Sequence, residues 1–179
     1  MNKDASRLIV DDFNKAIDTW LAELERYSFD QLCRKPSDTS WSLGQLYVHL
    51  VGVTDYIIKQ VRICASNNDN ESLEITAAGK KMFLNNDFPD ALLEGPPSNA
   101  TTPQPKSKDR LKTGMLNLRN DIAAAGELVI ENPYNGKTKH PGLGYFNADE
   151  WFQFGEMHLR HHFRQKKRID EFLTTTSPA

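Results

Sequence analysis

The sequence contains few cysteines, no long apolar run and no excess of basic residues. Its two cysteines, Cys33 and Cys64, form neither a CxxC motif nor a disulfide framework. No stretch approaches the apolar length that crosses a bilayer, and the first residues carry acids where a secretory signal has its apolar core. The formal net charge is only -2, which does not favour a nucleic-acid partner. These absences predict a cytoplasmic protein that binds neither membrane nor nucleic acid.

Helical periodicity is the main feature that the sequence does have. Apolar residues recur at helical spacing over residues 4–27, 43–65, 108–129 and 147–173. The 179 residues suit one domain with a sizeable core, spanning the whole chain with a frayed tail from about residue 174.

Polar residues mark where three of these helices begin. Ser42 and Gln45 have the spacing of a capping box before the second helix, and Asn147 and Glu150 have it before the last. Ser107 can cap the third helix.

The connections between the helices differ in length. Residues 28–40 are mostly polar and predict a plain connection, and residues 131–146 are dense in Gly, Pro and Asn and predict a loop. Residues 71–105 form a long crossover in which apolar clusters at 82–84 and 91–93 predict one or two helical turns. No strand pair is expected. The sequence therefore predicts an all-α four-helix bundle whose crossover lets the second and third helices run parallel.

Two histidines lie within the apolar seam of the last helix. His158 and His162 are four apart, so their rings project from adjacent turns of one face and two ring nitrogens can converge on one metal ion. His161 leaves the helix about 100° away from His162 and cannot easily join them. An isolated pair of this kind is more often a surface pair or a satisfied core pair, so a metal site needs a third ligand. The basic cluster at residues 164–168 is predicted to be a solvated helix face.

His49, on the core-facing shoulder of the second helix, supplies that third ligand in principle. Standing alone it would be a hydrogen-bonded core residue, but bundles build metal sites from facing helices, and three imidazoles leave a position open for water or substrate. Two other kinds of metal site do not fit the sequence. Leu159 stands where the HExxH motif has its glutamate, and only one residue separates Glu156 from His158, whereas the ExxH motif of di-iron bundles needs two.

No general base stands out from the sequence. Asp55 lies nearly two turns beyond the histidine of the second helix and is a weak candidate. The rings of Tyr47, Tyr56 and Tyr145 are expected to pack with their hydroxyl groups in contact with water, without a role at the metal site. His140, in the loop before the last helix, is expected to be exposed or hydrogen-bonded.

Three motifs, taken in order, resemble those of a known family. They are WSLGQLYVHL in the second helix, HPGLGYFNADEW before the last helix and HLRHHFRQKKRI within it, and together they resemble the DinB-like (DinB/YfiT) superfamily over nearly the whole chain. The resemblance implies a metal-dependent enzyme built as a four-helix bundle, with His49, His158 and His162 as the metal triad. It also implies a dimer, which members often form, and it includes Trp41 and Gln165 among the motif residues.

Several functions follow as hypotheses. Characterised relatives include thiol-dependent transferases and isomerases, whereas many members have no assigned activity. The leading hypothesis is a metal-dependent thiol transferase or hydrolase that uses zinc, nickel, manganese or iron and a small-molecule substrate, with a low-molecular-weight thiol as one candidate. The alternative is a bundle that binds metal or a small ligand without turnover, and the third is a structural bundle with pH-sensitive histidines. Ligation needs neutral imidazoles, so metal binding is expected to weaken below a pH of about 6.5.

Overall fold

A computed structural model describes residues 3–89 and 101–175 of the chain. Within these two ranges the chain is mostly helical, with six helices and one small sheet. In order along the chain, the elements are α1 (Lys3–Glu25), α2 (Phe29–Cys33), α3 (Leu43–Cys64), α4 (Ala77–Asn85), α5 (Lys108–Glu131), β1 (Thr138–His140), β2 (Gly144–Phe146) and α6 (Ala148–Thr175). The apolar cluster at residues 91–93, which sequence reasoning included in the crossover, lies outside the described residues.

The four long helices α1, α3, α5 and α6 pack as a bundle in which α3 and α5 run parallel. Near the start of both helices Gly114 lies against Val51, and further along both of them Arg62 bonds Asp121 at 3.0 Å. The crossover between α3 and α5 makes this direction accessible, as the sequence predicts.

The remaining pair, α1 and α6, also run parallel to each other and antiparallel to α3 and α5. The indole Nε1 of Trp20 donates to the carbonyl of Leu159 at 3.3 Å, and roughly two to three turns later the hydroxyl of Tyr27 donates to Asp170 at 2.7 Å. Because α3 and α6 are antiparallel neighbours, the early turns of α3 face the middle of α6. This register sets the positions of the histidines.

The predicted helix starts agree with the structure. The side chain of Ser42 accepts from the backbone N–H of Gln45 while Gln45 reaches back to Ser42, and the hydroxyl of Ser107 accepts from the third residue of α5. Asn147 and Glu150 exchange two bonds of 2.8 Å in the same way at the start of α6. Each cap gives polar partners to backbone groups that a helix end leaves unpaired.

The core lies between the four long helices, and its largest members are aromatic. Trp20, Tyr47 and Trp151 are almost fully buried, and aromatic side chains of this size bury more surface than other residues do and dominate the energetics of a core. Close packing explains why α6 contains one glycine, Gly155. A Cβ at Gly155 would stand 2.6 Å from the ring of Phe13 and 3.1 Å from Ile57, so only glycine lets α6 approach both neighbours this closely.

A small β-hairpin contradicts the expectation that the chain has no strand pair. Thr138 to His140 pairs with Gly144 to Phe146 in antiparallel register, and Gly144 adopts a φ of +89°, which favours glycine. Each strand has only three residues, too few to show an alternating pattern. The hairpin also bonds the crossover, since the N–H of Thr76 donates to Leu143 at 2.9 Å.

Two further segments differ in detail from the sequence expectation. The connection after α1 contains the short helix α2, which a capping box of Ser28 and Gln31 begins. The helical turn predicted at the apolar cluster 82–84 corresponds to α4, which Thr76 caps and which ends at Asn86 in a left-handed conformation. At the other end of the chain, α6 continues to Thr175. None of the described helices has the length and apolar character needed to span a membrane.

Candidate metal centre

Three histidine side chains meet between α3 and α6. His49 lies in the second turn of α3, and His158 and His162 lie on adjacent turns of α6 that face it. The Nε2 atom of His49 is 3.3 Å from that of His158 and 3.2 Å from that of His162, and the last two atoms are 3.1 Å apart. The three ring nitrogens therefore form a nearly equilateral triangle.

The size of this triangle suits one metal ion. Three nitrogens that lie about 2.05 Å from an ion at tetrahedral angles are about 3.3 Å apart. The observed separations of 3.1–3.3 Å agree with that value within a few tenths of an ångström. No other group of three His, Cys, Asp or Glu side chains with this geometry occurs among the described residues. The donor set fits a divalent ion with at least one further coordination position.

Neighbouring side chains fix the orientation of the rings. The Nδ1–H of His162 donates to the Oε1 atom of Gln165 at 3.0 Å, which leaves the lone pair of that ring on Nε2. The Nδ1 atom of His158 is buried and bonds none of the described residues. Its ring is held by packing against Phe154, with 6.2 Å between centroids and 24° between planes. Trp41 lies against His49 at 4.9 Å.

Burial keeps the three imidazoles neutral. It lowers the pKa of His49 to about 4 and, helped by the neighbouring His49, that of His162 to about 3. The pKa of His158 lies well below its ordinary value because the ring is buried and because the other imidazoles surround it. A neutral imidazole is the form that binds a metal. Metal binding should therefore persist well below a pH of about 6.5, the limit expected from the sequence alone.

The two other histidines stay out of the triangle. His161 points away from it, as its helical angle predicts, and its ring packs on Phe88 at 4.8 Å. His140, which sequence reasoning expected to be exposed or hydrogen-bonded, is hydrogen-bonded: its Nδ1 accepts from the N–H of Gly142 at 3.2 Å. Burial lowers the pKa of His140 to about 4, and its ring stacks on Phe146 rather than reaching the triad.

The candidate acids and hydroxyls lie elsewhere. Asp55 forms an exposed ion pair with Lys59 at 2.7 Å. The buried hydroxyl of Tyr47 donates to the carbonyl of Trp20 at 2.6 Å, so it is part of the core. Tyr56 packs edge-on against Trp151 with its side chain partly exposed.

The basic cluster at residues 164–168 is not a uniformly solvated face. Lys166 is almost fully buried and bonds Glu23 and Asp170, each at 2.6 Å. Its two carboxylate partners compensate the buried charge, which a sequence pattern on one helix does not reveal. Arg164 bonds Asp87 at 2.5 Å, whereas Lys167 and Arg168 are exposed as predicted.

The segment that packs beside the site was not predicted from the sequence. Asp87 and Phe88 follow α4, and Arg160 and Arg164 of α6 hold this segment in place. Arg160 also pairs with Glu156 through two bonds of 2.9 Å, so that this buried carboxylate faces away from the triad. The only sequence signal was a pair of arginines four residues apart, a spacing that places them on one face of the helix.

A polar cleft at the other end of α6 is separate from the triad. It has a volume of about 450 Å³, and its lining includes Tyr134, Lys137, Asn147 and Asp149. Asn147 precedes α6 by one residue, so this cleft lies several helical turns from His158.

The fold and the triad together define a class of protein, helical bundles whose facing helices can hold a metal ion through histidine side chains. A sequence model of the DinB superfamily matches residues 12–165, and the chain belongs to that superfamily. No curated protein and no solved structure was found to match the chain. The metal-binding character of DinB-like proteins agrees with the triad, and the resemblance to the DinB-like superfamily is confirmed.

Proposed function

We propose that the protein is a metal-dependent enzyme in which His49, His158 and His162 bind one divalent ion, zinc, nickel, manganese or iron. The observation that carries this proposal is the triangle of Nε2 atoms with edges of 3.1–3.3 Å. Three neutral ligands leave the ion its full charge, which lowers the pKa of a water or thiol bound beside them.

The reaction that we propose is thiol transfer or hydrolysis on a small molecule. Glu156 is paired with Arg160 and Asp55 with Lys59, and neither carboxylate joins the triad, so neither is placed to remove a proton from a nucleophile. A low-molecular-weight thiol suits such a site, because a thiol is easily ionised beside a cation and a thiolate is a good ligand for these metals.

The second candidate is a bundle that binds metal or a small ligand without turnover. The observation that favours it is the lack of a general base: among the described side chains, no carboxylate stands beside the triad. Both candidates need the metal, so they differ only in whether a bound ligand reacts.

Metal content is the first test. Protein purified without a metal-affinity tag should contain close to one divalent ion per chain by elemental analysis, and His162→Ala should lose it. His140→Ala is the matched control, because that ring bonds its own hairpin and lies outside the triad. Wild-type protein that takes up no divalent ion would reject the proposal and the binding alternative together.

Turnover is the second test. A cobalt-substituted sample should develop thiolate-to-metal absorption bands with a small thiol, and it should also transfer that thiol to an electrophile if the site performs thiol transfer. Metal-dependent ester cleavage without such bands would favour a hydrolase, and a chelator should abolish either activity. Metal binding with no reaction of thiols or esters would favour the binding bundle.

The setting that we propose is a cytoplasmic homodimer. Both cysteines are free, which suits a reducing compartment. Membership of a superfamily in which dimers are frequent supports the second copy. Light scattering at low protein concentration should give twice the mass of one chain, and a mass of one chain would reject the dimer.

A further inference from the structure

Two arginines of α6 fasten the segment that follows α4. Arg164 bonds the carboxylate of Asp87 at 2.5 Å and reaches the carbonyls of Phe88 and Pro89 at 3.4 Å. Arg160 donates to the carbonyl of Asn86 at 2.8 Å. Each of these four consecutive residues is therefore held by a charged side chain of the helix that carries two histidines of the triad.

These hydrogen bonds and ion pairs fix the position of the Phe88 ring. The half-buried ring of Phe88 lies 4.8 Å from that of His161, 5.3 Å from Phe154 and 6.2 Å from His158, all between centroids. Phe154 in turn packs on His158. Phe88 thus stands beside one ring of the triad and is supported from behind by aromatic neighbours.

Another ring of the triad, that of His49, also has an aromatic neighbour, and its helix is anchored to a second segment of the chain. Trp41 packs on His49 at 4.9 Å. One turn earlier in α3, the amide of Gln45 donates to the carbonyl of Thr102, where the described chain resumes before α5. Aromatic rings therefore flank the triad from two different parts of the chain.

We propose that Phe88 determines the specificity of the metal site: it forms an apolar wall beside the position where a ligand binds, and it selects ligands that carry an uncharged aromatic group next to their metal-binding atom. The basic groups nearest to Phe88, those of Arg160 and Arg164, are engaged by Glu156, Asp87 and backbone carbonyls. A ligand group that reaches this wall meets rings rather than an available charge. The inference rests on the proposed function only in requiring that the triad hold a divalent ion.

Two hydroxamates test this wall, because they share one metal-binding group and differ only in a methyl or a phenyl substituent. Full-length protein loaded with Co²⁺ is titrated with acetohydroxamate and with benzohydroxamate, and the visible absorption of the metal gives both affinities. A favourable ring pair is worth a factor of about two to ten in affinity. We expect Phe88→Ala to reduce the preference for benzohydroxamate by that factor and to leave the affinity for acetohydroxamate unchanged.

The chain offers a matched control for each variant. Phe83→Ala removes the same group from a half-buried ring that packs on Phe146, and it should keep the wild-type preference. Asp87→Asn weakens the anchor of the segment and should lower the preference as Phe88→Ala does. Its control is Asp55→Asn, which breaks an exposed ion pair of similar length and should leave the preference unchanged.

The outcomes separate this inference from the proposed function. The Co²⁺ content of the wild type reports on the triad, and a wild type that holds no Co²⁺ overturns both. A normal Co²⁺ content with the same hydroxamate ratio in wild type, Phe88→Ala and Phe83→Ala overturns the wall alone. Loss of Co²⁺ from Phe88→Ala also overturns it, because Phe88 would then support the ligands and not select among them.

Discussion

Metal binding by the three buried histidines should release almost no protons at pH 6.0. Three imidazoles with the ordinary pKa of about 6.5 would each be roughly 76% protonated at this pH and would together release about 2.3 protons. Burial instead lowers the pKa of His49 to about 4 and that of His162 to about 3, and it moves that of His158 in the same direction. With a pKa of about 4, a ring holds only about 0.01 of a proton at pH 6.0.

Calorimetry measures this difference directly. Titration of Zn²⁺ into metal-free protein at pH 6.0, in buffers that differ in ionisation enthalpy, gives the number of protons released as the slope of observed against buffer enthalpy. The slope should be close to zero at pH 6.0 and should rise as the pH approaches 4. A release of two or more protons at pH 6.0 would refute the reasoning, because the rings would then be charged in the free protein.

The same lowered pKa values predict how the stability of the metal-free protein depends on pH. Below a pH of about 6.5 the unfolded chain takes up a proton at each ring, whereas folded His49 does so only near pH 4. The contribution of these rings to the free energy of unfolding is therefore complete above pH 6.5 and is lost as the pH falls toward 4. For His49 alone it amounts to about 3 kcal/mol, at roughly 1.4 kcal/mol per pKa unit.

Three further variants test other parts of the structure. His161→Ala should leave the metal content nearly unchanged in elemental analysis, whereas His158→Ala should lower the metal affinity by orders of magnitude in a chelator competition; the opposite result would mean that a different face of α6 meets α3. Gln165→Leu removes the acceptor of the Nδ1–H of His162 and should weaken zinc binding by about 10- to 100-fold in a chelator competition. An unchanged affinity would deny that this bond orients the ring. Thr54→Val should raise the free energy of unfolding by about 1 kcal/mol in denaturant titrations, because the buried hydroxyl bonds none of the described residues. A loss of stability would show that the hydroxyl has a partner.

Sequence patterns were sufficient for features that depend on neighbours along one helix. The capping boxes at Ser42 and Asn147 each involve two residues three apart, so the sequence alone predicts them. The angle between His161 and His162 follows from the helix repeat in the same way. His49 was harder to place, because its approach to α6 depends on the antiparallel register of two helices that lie far apart in the sequence.

Features that depend on packing between distant segments could not be predicted in this way. Asp87 is more than seventy residues from Arg164, and no local pattern links the two. The buried position of Lys166 depends on Glu23 of α1. The neutral state of the triad depends on burial, which a sequence indicates only on average. The hairpin around Gly144 was missed because each strand has only three residues, whereas an alternating strand pattern needs roughly four to eight residues to be recognised.

Three neutral ligands also decide what metal loading does to the charge of the whole molecule. The triad contains no carboxylate or thiolate, so a divalent ion adds its entire charge to a chain with a formal net charge of -2. The loaded chain is then formally uncharged. Metal-free and metal-loaded protein should therefore separate on an ion exchanger and migrate differently on a native gel. The loaded form should also be the less soluble one near neutral pH, because proteins without net charge repel each other least.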